Sequence, residues 1–80
     1  MAPKPEPQPG LAAAIRQLRE ERGLTQEELG ARANVHATRI SHLESGRVNP
    51  RWGVVRRVAD ALDVSLNDLV KLAESLEPKH

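Results

Sequence analysis

The stretch Gly23-Leu24-Thr25-Gln26-Glu27-Glu28-Leu29-Gly30-Ala31-Arg32-Ala33-Asn34-Val35 runs without a break into His36-Ala37-Thr38-Arg39-Ile40-Ser41-His42-Leu43-Glu44-Ser45-Gly46. It predicts a helix, a tight turn and a second helix. Thr25-Gln26-Glu27-Glu28 is a capping box, in which the Thr hydroxyl takes the amide of Glu28 and the Glu28 carboxylate reaches back. Leu24 before the cap and Leu29 after it can form a hydrophobic staple. Gly30 costs about 1 kcal/mol relative to Ala inside a helix, a penalty that close approach of another helix would offset. Asn34, which tolerates left-handed backbone, serves the turn. Val35 plugs the core and Gly46 stops the second helix. At about 100° per residue, Ile40 and Leu43 point inward with Val35, while Thr38, His42 and Ser45 fall on the opposite side. Ala37 and Ser41 lie on one shoulder and Arg39 on the other. The second helix therefore keeps a polar face free.

Outward from this pair, the pattern stays helical. Leu11, Ala14, Ile15 and Leu18 form one apolar stripe, which predicts a helix over 11–22 closed by Gly23. Residues 1–10, Met-Ala-Pro-Lys-Pro-Glu-Pro-Gln-Pro-Gly, read as an extended, solvated, Pro-rich leader, since proline at alternate positions forbids helix. Downstream, Arg47-Val48-Asn49-Pro50 is a loop. A fourth helix starts at Asn49 or Arg51, with Pro50 at or beside its first turn. Val54, Val55, Val58, Ala59 and Leu62 are its buried face, and Trp52 is assigned to the core, with a dimer anchor as its alternative role. Ser65-Leu66-Asn67-Asp68 is a second capping box. It opens a fifth helix carrying Leu66, Leu69, Val70, Leu72, Ala73 and Leu76, and residues 77–80 are expected to fray. There is no strand pattern. The chain predicts an all-α, five-helix domain over residues 11–76.

Eighty residues make one small domain, and its apolar residues are almost all aliphatic. There is no cysteine, hence no disulfide, zinc finger or thiol nucleophile. No apolar run is long enough for a signal segment or a membrane span, and a cytoplasmic location is expected. The net charge is only +1, but it is unevenly spread: residues 1–35 sum to zero, residues 36–57 to +4 and residues 58–80 to −3. The positive field sits on the second helix of the pair and just after it, which is what attraction to phosphate requires. Ser41, Ser45 and His42 are close in sequence, but no acid is placed to orient the His, and there is no glycine-rich phosphate loop. No catalytic residue is assigned. His36 and His42 are six positions apart, not a same-face helical step, so no metal site or cofactor is expected.

These residues resemble the lambda-repressor-like, Cro-type helix-turn-helix proteins, the xenobiotic-response-element class of bacterial transcriptional regulators. The resemblance covers roughly residues 12–75. It is carried by Leu18-Arg19, Gly23-Leu24-Thr25-Gln26, Leu29, Val35, Ile40-Ser41, Leu43-Glu44, Gly46, Pro50, Ala59, Ala61-Leu62 and Val64-Ser65-Leu66. It implies a five-helix fold, DNA binding through the second and third helices, and usually a symmetric homodimer. Two positions depart from the pattern. His36 stands where a small capping hydroxyl is more frequent, which implies a weaker cap. Ala37 stands where a longer polar side chain is frequent.

A helix held in this way enters the major groove. The expected base contacts are Ala37, Thr38, Arg39 and His42, with Arg39 able to pair its planar fork with guanine. The expected phosphate contacts are Thr25, Gln26, His36, Arg47, Asn49 and Arg51. The resemblance implies that Arg19 and Glu44 form a structural ion pair joining the first helix to the end of the third. Val70, Leu72 and Leu76 are expected at a dimer interface, with half-sites about 34 Å apart on a palindrome. Other roles for the same fold are an antitoxin or adaptor that binds a protein partner, such as a toxin, or a restriction–modification controller. RNA polymerase is a further possible partner.

Overall fold

The computed structural model describes residues 8–78. Five helices follow in order: α1 (Pro9–Glu21), α2 (Gln26–Ala33), α3 (Ala37–Ser45), α4 (Trp52–Ala61) and α5 (Leu66–Ser75). α1 packs on α5 and α3, α2 packs on α3 and α4, and α4 also meets α5. The core is aliphatic. Ile15, Leu29, Ile40, Val58, Leu62 and Leu69 are its largest fully buried side chains, so every helix contributes at least one. Burying such a side chain stabilises the fold by roughly 1.5–3 kcal/mol.

The helix ends follow local chemistry. Both halves of the capping box at α2 form: Glu28 N–H donates to Thr25 Oγ1 and Thr25 N–H donates to the Glu28 carboxylate, each at 3.0 Å. At α5 only the forward half is made, from Asp68 N–H to Ser65 Oγ at 3.0 Å. α2 ends on Asn34 in left-handed backbone (φ 57°), and Asp63 (φ 57°) performs the same reversal between α4 and α5.

The α2–α3 turn explains Gly30. Val35 N–H donates to the Gly30 carbonyl at 2.8 Å. A Cβ on Gly30 would lie 2.5 Å from the Val35 carbonyl oxygen. What crowds Gly30 first is the turn's own backbone, and next the start of α3, whose Ala37 N would lie 3.3 Å from that Cβ. Its missing side chain lets the chain fold back at once into α3.

Several boundaries differ from the sequence expectation. α1 begins at Pro9, inside the expected leader. Proline is excluded from helix interiors but suits the first helical position, where its missing N–H would have no partner. Residues 1–7 of that leader lie outside the described residues. Gln8 N–H donates to the Gly46 carbonyl at 3.0 Å, seating the start of α1 against the end of α3. Nor is Glu77 frayed. Its carboxylate accepts from Gly10 N–H at 2.9 Å and so caps α1 from the far end of the chain. α4 begins at Trp52 with Arg51 as its N-cap, which matches the second of the two expected starts, Arg51, and not Asn49.

Trp52 is the largest departure. Its hydrophobicity predicts a core position, but it is 61% exposed. As the first residue of α4 it precedes the turn at which Val54 and Val55 face inward. The expected dimer residues also divide. Val70 is exposed, whereas Leu72 and Leu76 are partly buried and pack against the core.

Candidate nucleic-acid interface

α3 is short and firmly fixed. Ile40 and Leu43 are buried beneath it, and its C-cap, Gly46, takes left-handed backbone (φ 75°). Its start is better held than the sequence implied. His36 is the N-cap, and its Nδ1 accepts from Thr38 N–H at 3.1 Å. An unprotonated ring nitrogen thus does the work of a hydroxyl. Because Nδ1 accepts, the ring's proton sits on Nε2, and the side chain is exposed.

The outer face of α3 is open. Thr38, Arg39, Ser41 and His42 are exposed and Ala37 is half-buried. Arg39 and His42 turn toward the loop that follows. With Leu43, Val48, Asn49, Pro50, Arg51 and Val54 they line a cleft of about 290 Å³. The expected base readers Arg39 and His42 therefore share one concavity with the expected phosphate contacts Asn49 and Arg51. Arg47 is exposed one step outside it, its N–H held by Ser45 Oγ at 3.3 Å. Among the described residues, the ion pairs are Arg16–Glu20 and Arg19–Glu44. Arg39, Arg47 and Arg51 have no acidic partner there, so their charge is free to act on a polyanion.

The start of α2 forms the other flank. The capping box uses the N–H groups of Thr25 and Glu28. Those of Gln26 and Glu27 have no partner among the described residues and sit at the positive end of the helix dipole. Thr25, through its backbone N–H first and its side chain second, holds the Glu28 carboxyl below the usual glutamate range.

Beneath this surface runs one fixed charge network. Arg19 Nε and Nη2 donate to the two Glu44 carboxylate oxygens at 2.7 and 2.8 Å, and Arg19 Nη1 donates to the Leu24 carbonyl at 2.8 Å. Their side chains are 13% and 5% exposed. Donating to the Glu44 carboxylate raises the Arg19 pKa above the ordinary arginine value, against the opposing effect of burial. Gln26 Nε2 also donates to Glu44, at 3.3 Å. α1 and α2 thus converge on one carboxylate of α3, and the Arg19 guanidinium also holds the α1–α2 turn. Gln26, expected to touch phosphate, is held at the edge of the surface. Nothing in the sequence marked that Gln26–Glu44 bond, since it joins positions 18 apart.

An open helix on a two-helix scaffold, flanked by unpaired arginines and free helix-start amides, defines the class. The chain belongs to the helix-turn-helix domain family, matched over residues 11–72, among the lambda-repressor-like DNA-binding transcriptional regulators. An uncharacterized HTH-type transcriptional regulator of Sinorhizobium fredii, y4dJ, is 47% identical over 53 residues, covering 66% of this chain and 69% of that protein. Among solved structures, the clp gene regulator ClgR from C. glutamicum superposes with a TM-score of 0.83 at 29% identity, covering 91% of this chain and 95% of that one. The restriction-modification controller protein C.Esp1396I superposes with a TM-score of 0.79 at 25% identity, covering 86% and 90%. The chain spans half the length of other curated regulators that it matches.

Among the described residues, no helix is long and apolar enough to cross a membrane.

Proposed function

We propose that this regulator works in the cytoplasm as a homodimer on a two-fold operator, each subunit laying α3 in a major groove. The observation that carries this reading is the continuity of the α3 polar face with the cleft of Arg39, His42, Asn49 and Arg51. Side chains that reach base edges and side chains that hold phosphate lie together, as reading one half-site requires. Arg39 reads guanine, Thr38 and His42 contact neighbouring bases, and Ala37 packs on a thymine methyl. Gln26, the α2 amides and His36 grip one strand, while Arg47, Asn49 and Arg51 grip the other. One domain reads only a few base pairs, so two copies are needed for specificity.

Selection from random duplex pools at several salt concentrations tests this. Enriched sites with two-fold symmetry, and affinity falling steeply with salt, are the expected result. Weak, uniform binding without enrichment would overturn it in favour of a protein-binding adaptor.

The likeness to the C.Esp1396I controller along nearly its whole length favours a second reading, control of restriction–modification genes. The genes flanking the coding sequence distinguish the two.

A further inference from the structure

Of the four expected base readers on α3, Ala37 alone has a side chain that neither donates nor accepts a hydrogen bond. Arg39 only donates and so demands an acceptor. Thr38 donates or accepts as its hydroxyl turns, and a neutral His42 ring offers one of each. Ala37 offers a methyl group and nothing more.

That methyl group is also held at a set depth. Ala37 is the first residue of α3 and is half-buried. Its backbone rests on α2: a Cβ on Gly30 would lie 3.3 Å from Ala37 N and 3.5 Å from Ala37 Cα. The residues after it are tied down by His36. The His36 Nδ1 accepts from Thr38 N–H at 3.1 Å and the His36 carbonyl accepts from Arg39 N–H at 2.9 Å. Alanine has no side-chain rotamer to change. A base edge either meets the methyl group in van der Waals contact or leaves a gap that forfeits the contact.

In the major groove thymine presents an O4 acceptor and a C5-methyl group, whereas cytosine presents an N4 donor and a bare C5 edge. A polar side chain separates the two bases by O4 against N4. Ala37 senses only whether C5 bears a methyl group. To such a sensor thymine and 5-methylcytosine are one ligand, and cytosine and uracil are another. Thr38 beside it does not break the tie, since its hydroxyl donates to O4 or accepts from N4–H.

We propose that α3 reads the pyrimidine C5-methyl group as such, so that 5-methylcytosine substitutes for thymine at Ala37 and cytosine-5 methylation of an operator raises its occupancy. This rests on the major-groove reading above and adds a modified DNA to what the site recognises.

The test starts from the site selected out of random duplexes. Deoxyuridine replaces each thymine in turn, and the sensitive position is then made cytosine or 5-methylcytosine, each paired with guanine. Comparing 5-methylcytosine with cytosine cancels the change of partner base. Affinities are measured for the wild type and Ala37→Gly, with circular dichroism to verify folding; the wild-type series stands without the variant. Loss of the methyl group is expected to weaken binding about fourfold per half-site, the worth of burying one such group. On the symmetric duplex the two losses multiply to about fifteenfold. The 5-methylcytosine duplex should bind more tightly than the cytosine duplex by the same factors, and Ala37→Gly should lose both differences. Equal affinity for 5-methylcytosine and cytosine would overturn the proposal while leaving the groove reading intact, because the base would then be read by its polar edge. Differences that survive in Ala37→Gly would overturn the role of Ala37. A pool with no enriched sequence would overturn the DNA reading on which the proposal rests.

Discussion

Arg39 stands on the shoulder of α3, exposed and without an acidic partner among the described residues. Its role is tested by Arg39→Ala. Affinity is expected to fall by about 1–3 kcal/mol for sites with the preferred base at one position per half-site. Other sites should be bound nearly as before, so the selected sequence becomes degenerate at that position. Glu28 makes a prediction of a different kind. Its carboxyl lies below the ordinary glutamate range because the Thr25 hydrogen bonds favour the charged form. A group depressed in this way contributes stability that is full above its unfolded-state value and fades as pH falls through its folded-state value. Thermal melts from pH 7 to pH 3 should therefore show Glu28→Gln losing less stability than the wild type across the acid range. His36 shows where single residues mislead. An imidazole is not among the preferred caps, and only the orientation seen in the fold shows that Nδ1 can accept.

At the scale of elements, the turn between α2 and α3 is the most exacting feature. Gly30→Ala would gain helix propensity but would drive a methyl group against the Val35 carbonyl. A net loss of about 2 kcal/mol is expected in chemical denaturation. The opened angle between the helices should weaken DNA binding beyond that loss. The Arg19–Glu44 pair joins helices rather than residues. Arg19→Ala leaves a nearly buried carboxylate with only Gln26, at a cost of about 3 kcal/mol. It also frees Gln26, so affinity measured well below the melting temperature should fall as well. These elements were unequally legible. The α2 capping box and the Asn34 turn are local, and adjacent residues were enough to read them. Pro9 looks like a breaker in the sequence, but the rule against proline holds inside a helix and not at its first position. Hydrophobicity places Trp52 in the core, but it does not reveal on which side of a helix start a residue falls.

At the scale of the molecule, positive charge is concentrated from α3 through the loop into the first turns of α4 (residues 36–57, +4), while residues 58–80, which include α5, sum to −3. A net charge of +1 hides this division. For a dimer on a symmetric site, the slope of log affinity against log salt is expected to be about twice that for one half-site, because counterion release scales with the phosphates contacted. An equal slope would mean that one subunit does all the binding. The closures between α1 and the ends of α3 and α5, through Gln8–Gly46 and Gly10–Glu77, were invisible in the sequence, since tertiary packing alone brings those positions together. Trp52 has one more consequence. It is the only tryptophan, and the chain has no tyrosine. Because this indole is already largely in water in the folded chain, its emission should barely change when the helices melt. It should shift and brighten when another surface covers it, giving the protein a native optical reporter of docking that is nearly blind to unfolding.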